Sequence, residues 1–230
     1  MEPRERLIFA LDTDDAARAL DLVAALREEV GWFKIGLQLF TAQGPDLVRR
    51  VRELGGRVFL DLKFHDIPAT VRGGLKAAAA VGAEMVTVHV QAGRAWQEAV
   101  SVTGLKVLGV TVLTSLSAAD LAELGHGRVE PSALAAQRAE LARRAGLAGV
   151  VCAGPDVALV RGRLGPGRLI VCPGIRPAWS LVAGDDQARV TTPGRALAAG
   201  ADMIVVGRPI RDAQDPAEAA RRVAAELAQG

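Results

Sequence analysis

Eight short apolar runs, each followed by an Ala/Leu/Arg-rich segment with a helical 3.6-residue rhythm, constrain the fold of this chain more than any other feature. The runs fall at about 7–11, 32–36, 57–62, 84–90, 105–112, 147–152, 168–172 and 202–207. The helical segments fall at about 14–29, 44–54, 68–82, 93–101, 130–145, 155–162, 193–199 and 214–228. Strands this short and this uniformly apolar suit a parallel sheet with helices on one face and a packed interior on the other. Eight units of roughly 25 to 30 residues use nearly all of the chain. The expected fold class is therefore α/β, a (β/α)8 TIM barrel, with residues 1–230 forming a single domain. A doubly wound open sheet is the alternative. It usually carries a Gly-rich fingerprint after its first strand, where this chain has Leu11-Asp12-Thr13-Asp14.

Composition removes several classes. Hydrophobic residues at 50% and charged residues at 23% exclude a disordered chain. Two cysteines exclude a disulfide scaffold, and Cys152 and Cys172, in strands without a nearby histidine, read as buried thiols rather than zinc ligands. The arginines are interleaved with Glu and Asp and aromatics total only 3%, so no nucleic-acid partner is expected. No apolar run has the length of a membrane span, and the start MEPRERLIFALD lacks the pattern of a signal peptide. The expected location is cytoplasmic, with no membrane partner.

Polar residues that interrupt the apolar runs near their C-terminal ends carry the chemistry. Asp12 ends the first strand, Lys34 lies in the second, and Asp61 and Lys63 end the third, with Asp66 just beyond. His89 ends the fourth, Thr114 and Ser115 follow the fifth, and Arg208 follows the eighth. Any one of these could be a structural ion pair, but in a barrel they converge on the face that holds active sites. Asp61 and Lys63, two apart on a strand, are expected on the same side. A lysine between the carboxylates of Asp61 and Asp66 is stabilised as the ammonium, which suits a proton donor facing a carbanion better than a Schiff-base amine. Lys34 and Asp12 extend the set into an alternating charge network, expensive to bury unless mutually paired. His89 and His65 remain open between site and scaffold, and His126 reads as a loop residue.

The other half of the barrel reads as a phosphate site. Gly174 and Arg176 follow the seventh strand, and Gly207 and Arg208 follow the eighth, the usual phosphate position in this fold. Glycine permits close backbone approach, and arginine offers a fork of donors. The segment 173–192 lacks periodicity and is expected to be an active-site lid within the barrel domain, with Gln187 adding an amide donor.

The run FLDLKFHDIPATV at 59–71 closely resembles the signature of the orotidine 5′-phosphate decarboxylases, in bacterial form. The likeness continues through ALD at 10–12, FKIGLQLF at 33–40, TVLTS at 111–115, VCPGIRP at 171–177, DDQARVTTP at 185–193 and GADMIVVGRPI at 200–210. It implies decarboxylation of orotidine 5′-monophosphate (OMP) to UMP in pyrimidine biosynthesis, by a homodimer that uses no cofactor and no metal. Carried over by motif, Lys63 donates a proton to C6, Asp61 lies near the departing carboxylate, and Lys34 and Asp66 complete the network. Asp66 and Thr70 reach the neighbouring subunit's site, and Asp12 and Lys34 contact the ribose. Thr114 and Ser115 face ribose and pyrimidine, while Arg176, Gln187, Gly207 and Arg208 bind phosphate. The chain has no tyrosine, so a phosphate-contacting tyrosine of some relatives is missing and the two arginines carry more of that role. Sugar-phosphate decarboxylases and hexulose-phosphate synthases of the same barrel group share Asp-x-Lys-x-x-Asp. They depend on Mg²⁺ and carry an acidic residue where this chain has Lys34. A catalytically silent phosphate-binding barrel is the other alternative, and it predicts the loss of network charges.

Overall fold

The fold is described by a computed structural model covering residues 1–180 and 191–228. Eight parallel strands close in sequence order into a barrel. They are β1 (Leu7–Ala10), β2 (Trp32–Gly36), β3 (Val58–Phe64), β4 (Met85–His89), β5 (Lys106–Val110), β6 (Gly149–Val151), β7 (Leu169–Cys172) and β8 (Met203–Val206). All eight predicted runs are strands, and the molecule is a single (β/α)8 barrel.

Strand alternation builds two separate cores. Leu7, Phe9 and Leu11 face outward with Phe33, Ile35, Val58 and Leu60, where the helices cover them. Ile8 and Ala10 face inward and meet Trp32, Phe59, Met85, Leu108, Val171, Met203 and Val205 in the barrel interior. Trp32 forms part of the floor, 3% exposed, with the Arg57 guanidinium 3.7 Å from its ring centroid. The same period of two puts Lys34 and Asp61 on the inward register, above the apolar floor.

Eleven helices are described: α1 (Ala16–Leu26), α2 (Leu37–Gln43), α3 (Pro45–Glu53), α4 (Pro68–Ala80), α5 (Arg94–Ala99), α6 (Ala118–Leu121), α7 (Pro131–Arg144), α8 (Val157–Leu164), α9 (Pro193–Ala198), α10 (Arg208–Arg211) and α11 (Pro216–Ala228). Their starts are chemically marked. The Asp15 carboxylate accepts from Ala17 N and Arg18 N at the head of α1. Proline sits in the first turn of α3, α4, α7 and α9, where its missing N–H costs nothing. Ser117 and Asp120 form a reciprocal capping box on α6, a short helix between β5 and α7.

Three features depart from the sequence reading. Residues 37–43, unassigned there, form α2, which leaves β2 without an intervening loop and is cut from α3 by Gly44 at φ +69°. A further helix, α10, follows β8 directly. β3 runs two residues past its expected end and is bulged: Leu60 pairs with Val86 but Phe64 with Val88, so four steps on β3 match two on β4. Within the bulge Lys63 has φ +52°, the left-handed region that side chains rarely enter. Simple alternation from Asp61 to Lys63 therefore does not describe the backbone.

Candidate active site

The C-terminal ends of the strands surround a cavity of about 470 Å³. Asp12, Lys34, Asp61, Lys63, Thr114, Arg176, Gly207 and Arg208 all line it, as do Gln38, Phe59, Val112, Cys152 and Arg211. Residues that the sequence distributes over seven strands and their loops thus share one space.

Its charged centre is ordered around Asp61. The Lys63 ammonium donates to both Asp61 oxygens at 3.0 Å, and Lys34 Nζ lies 3.8 Å from Oδ2. Lys34 also donates to Asp12 Oδ1 at 3.2 Å. The alternating line Asp12–Lys34–Asp61–Lys63 satisfies the expectation of mutual pairing. The Thr87 hydroxyl, fully buried on β4, donates to Asp61 Oδ1 at 2.8 Å and accepts from the Lys63 backbone N–H at 2.9 Å. Burial by itself raises the Asp61 pKa. The charges of Lys34 and Lys63, with hydrogen bonds from Lys63 and Thr87, outweigh it and hold the carboxyl below its ordinary value.

Two close approaches shape this centre. A Cβ on Gly36 would lie 3.3 Å from Lys34 Nζ, and one on Gly207 would lie 3.3 Å from Asp12 Oδ2. The His65 and His89 rings stand 5.2 Å apart, centroid to centroid, beside this network. Burial, His65, Arg138 and Lys63 together lower the His89 pKa, with Asp61 opposing them, so His89 favours its neutral form. His126 is exposed, but it ends a π-helical turn, Ala122–His126, rather than lying in a loop, with its Nε2 3.5 Å from Arg138 Nη2.

The wall that follows β7 and β8 carries Gly174, Arg176, Gly207 and Arg208, with Gly207 beside Asp12. Arg176 is 7% exposed, and its backbone N–H donates to Thr191 O at 2.9 Å. Ile175 bridges Thr191, so the two ends of the 173–192 segment are pinched together. Trp179 ties its first half to α11, through Nε1 to Glu226 Oε1 at 3.0 Å and through Arg222 above the ring. Gln187 lies outside the described residues.

Three sequence candidates are absent from the cavity wall. Ser115 is exposed, one residue past Thr114. Asp66 and Thr70 are also exposed, and the Asp66 carboxylate accepts from Ile67 N at 2.6 Å. The sequence reading in turn missed Thr87, Gln38 and Arg211. Thr87 was detectable as the lone hydroxyl inside the apolar strand MVTVH, whereas Gln38 and Arg211 sit on short helices that periodicity does not reveal. Cys152 belongs to the wall and Cys172 is fully buried, its thiol pushed up to about 12 by burial and by Asp156. Among the described residues no three His, Cys, Asp or Glu side chains gather into a metal-binding group.

A family model described as "Orotidine 5'-phosphate decarboxylase / HUMPS family" matches residues 5–223. The orotidine 5′-phosphate decarboxylase of Anaeromyxobacter sp. (strain K) is 51% identical over 99% of this chain and 100% of its own length. That of Afipia carboxidovorans is 49% identical over 98% of this chain and 96% of its own. Among solved structures, orotidine 5′-phosphate decarboxylase from Lactobacillus acidophilus superposes with a TM-score of 0.82 at 32% identity, covering 96% of this chain and 98% of that one.

Proposed function

Because the chain belongs to the orotidine 5′-phosphate decarboxylase/HUMPS family, we propose that it converts OMP to UMP and CO₂, with Lys63 protonating C6. The observation that carries this reading is the ammonium of Lys63 held on both oxygens of Asp61 inside the cavity. Decarboxylation breaks the C6–carboxyl bond and leaves its electron pair on C6, in an sp² orbital that the ring does not delocalise. An ammonium already in place stabilises that charge without reorganisation and then transfers its proton, forming the C6–H bond of UMP. Lys63 is left as the amine and regains its proton from solvent. Asp61, kept ionised by its neighbours, repels the substrate carboxylate, and that repulsion is relieved as CO₂ departs.

The remaining roles are those the family resemblance implies. Gly207, Arg208 and Arg176 hold the phosphate, Asp12 and Lys34 the ribose, and Thr114 with the adjoining Ser115 the nucleoside edge. The 173–192 segment acts as a lid, with Gln187 on the phosphate. Its pinched ends and the Trp179 anchor support a hinge there. Asp66 and Thr70 serve the neighbouring site of a homodimer, a reading supported by their exposure beside Ile67, which is 66% exposed. No described helix is long and apolar enough to cross a membrane, and two buried cysteine thiols suit a reducing cytoplasmic setting.

The Mg²⁺-dependent sugar-phosphate branch of the family is disfavoured by Lys34. Its ammonium lies against Asp12 and Asp61, where a divalent ion would need those carboxylates. The test is the fall in OMP ultraviolet absorbance on adding purified protein treated with excess EDTA. Steady conversion to UMP supports the reading. Absence of conversion, or activity that returns only with Mg²⁺, overturns it.

A further inference from the structure

Arg211, the last residue of α10, lines the central cavity without a part in the scheme above. Its guanidinium is fully engaged in one direction: Nε and Nη2 grip the two oxygens of Asp212 at 2.6 and 2.9 Å. The remaining arm reaches over to the end of the neighbouring strand β1, and Nη1 donates to the backbone carbonyl of Asp12 at 2.7 Å. The two residues are 199 apart in sequence, and the contact joins the end of β1 to the helix that follows β8.

Asp12 has need of such a hold. It lies beyond the end of β1, and its side chain is 53% exposed, so packing alone does not fix it. Its carboxylate nevertheless keeps a defined place, pairing with Lys34 Nζ through Oδ1 while Oδ2 lies against Gly207. Lys34 in turn stands 3.8 Å from Asp61. We infer that Arg211 is a positioning residue that clasps the main chain of Asp12 and so aims its carboxylate at Lys34 and the bound ribose. Asp212 pre-sets the guanidinium, since the fork leaves one N–H arm directed at the carbonyl. The clasp also makes α10 a strut. Its first end, Gly207–Arg208, borders the phosphate side of the cavity, and its last residue holds the first carboxylate of the charge network. This inference rests on the proposed function and assigns a residue to the same site.

The test is a double-mutant cycle on UMP affinity, by calorimetric titration of wild type, Arg211→Ala, Asp12→Ala and the double variant. Inorganic phosphate is titrated as a second ligand, and thermal melts accompany each protein. Loss of a hydrogen bond from a charged donor is expected to weaken UMP binding by roughly tenfold in Arg211→Ala. Because Arg211 acts through Asp12, the double variant is expected to match Asp12→Ala within about twofold. Affinity for inorganic phosphate is expected to stay near wild type. Arg211→Gln retains an amide able to donate to the Asp12 carbonyl, and partial recovery of UMP affinity distinguishes positioning from general loss of folding. If Arg211→Ala does not fold, Arg211→Gln takes its place in the cycle. Additive losses overturn the inference, as does a loss of phosphate affinity equal to the loss for UMP, which would make Arg211 a direct phosphate ligand. OMP turnover by wild type separates the two levels. A wild type that neither turns over OMP nor binds UMP sinks the function and the clasp together, whereas an active wild type with additive losses sinks the clasp alone.

Discussion

The hydroxyl of Thr87 donates to Asp61 and accepts from the Lys63 N–H, so a single buried oxygen sets both members of the central pair. Thr87→Val preserves the shape and removes both bonds. The Lys63 N–H is left unmatched, at a cost of about 1–3 kcal/mol, and Asp61 Oδ1 keeps only its bond from Lys63 Nζ, so a lower melting temperature and a drop in kcat of at least tenfold are expected. Unchanged kcat would show that the pair holds itself. Lys63→Ala is expected to keep its fold and lose several orders of magnitude in kcat, because one preorganised donor is worth about 3 kcal/mol and Lys63 also delivers the proton. Near wild-type turnover in that variant ends the mechanism. Asp61 adds a pH signature. Its folded pKa lies below the ordinary 3.8, so its contribution to stability is complete above that value and is lost as pH falls through the lower folded value. The stability gap between wild type and Asp61→Asn should therefore be constant from neutral pH down to about 4 and close below it. A gap that persists unchanged at pH 2 contradicts the assignment. The four charges were legible in the sequence because each breaks an apolar strand. Thr87 shows in the sequence only as a hydroxyl inside an apolar strand; its role was not legible, because threonine is at home in strands and that role depends on a bulge in the adjoining strand.

At the scale of elements, the strand runs and most helices were readable from periodicity, and the departures share a physical origin. α2 and α10 are only 7 and 4 residues long, too short for a 3.6-residue pattern to repeat, and both start where a strand ends. The bulge in β3 was invisible because it is a property of the β3–β4 pair and has no local residue marker: the left-handed position is occupied by lysine, not glycine. Close strand approach does leave a marker at Gly149 in β6, where a Cβ would fall 2.1 Å from Leu169 O. Gly149→Ala must push β7 away, and a loss of about 3 kcal/mol in denaturant unfolding is expected. Tolerance of alanine there would mean the two strands sit farther apart. At the far side of the mouth, Arg208→Ala is expected to raise KM for OMP while leaving binding of the phosphate-free nucleoside nearly unchanged. Equal losses on both ligands argue against the phosphate assignment.

At the scale of the whole molecule, the exposed Asp66, Ile67 and Thr70 bear on how many chains make one site. If Asp66 serves a neighbour, two inactive variants should rescue each other. Mixing Lys63→Ala with Asp66→Ala yields heterodimers in which one site carries both substitutions and the other carries neither. Activity should recover at about a quarter of all sites after subunit exchange. No recovery after exchange has been verified by mass spectrometry would return Asp66 to its own protomer.

The apolar floor of the barrel has a consequence for traffic. Trp32, Phe59, Met85 and Met203 fill the interior beneath the charged network, and Arg57 lies over the outer side of the indole. A stacked interior of this kind offers no passage through the axis. The gas released at C6 must leave by the doorway through which the nucleotide entered, while the nucleotide still stands in it. Carbon dioxide is small enough to slip past; UMP is not. UMP must leave by the mouth that the described strand ends form, which makes product exit, rather than bond breaking, the step most exposed to solvent viscosity.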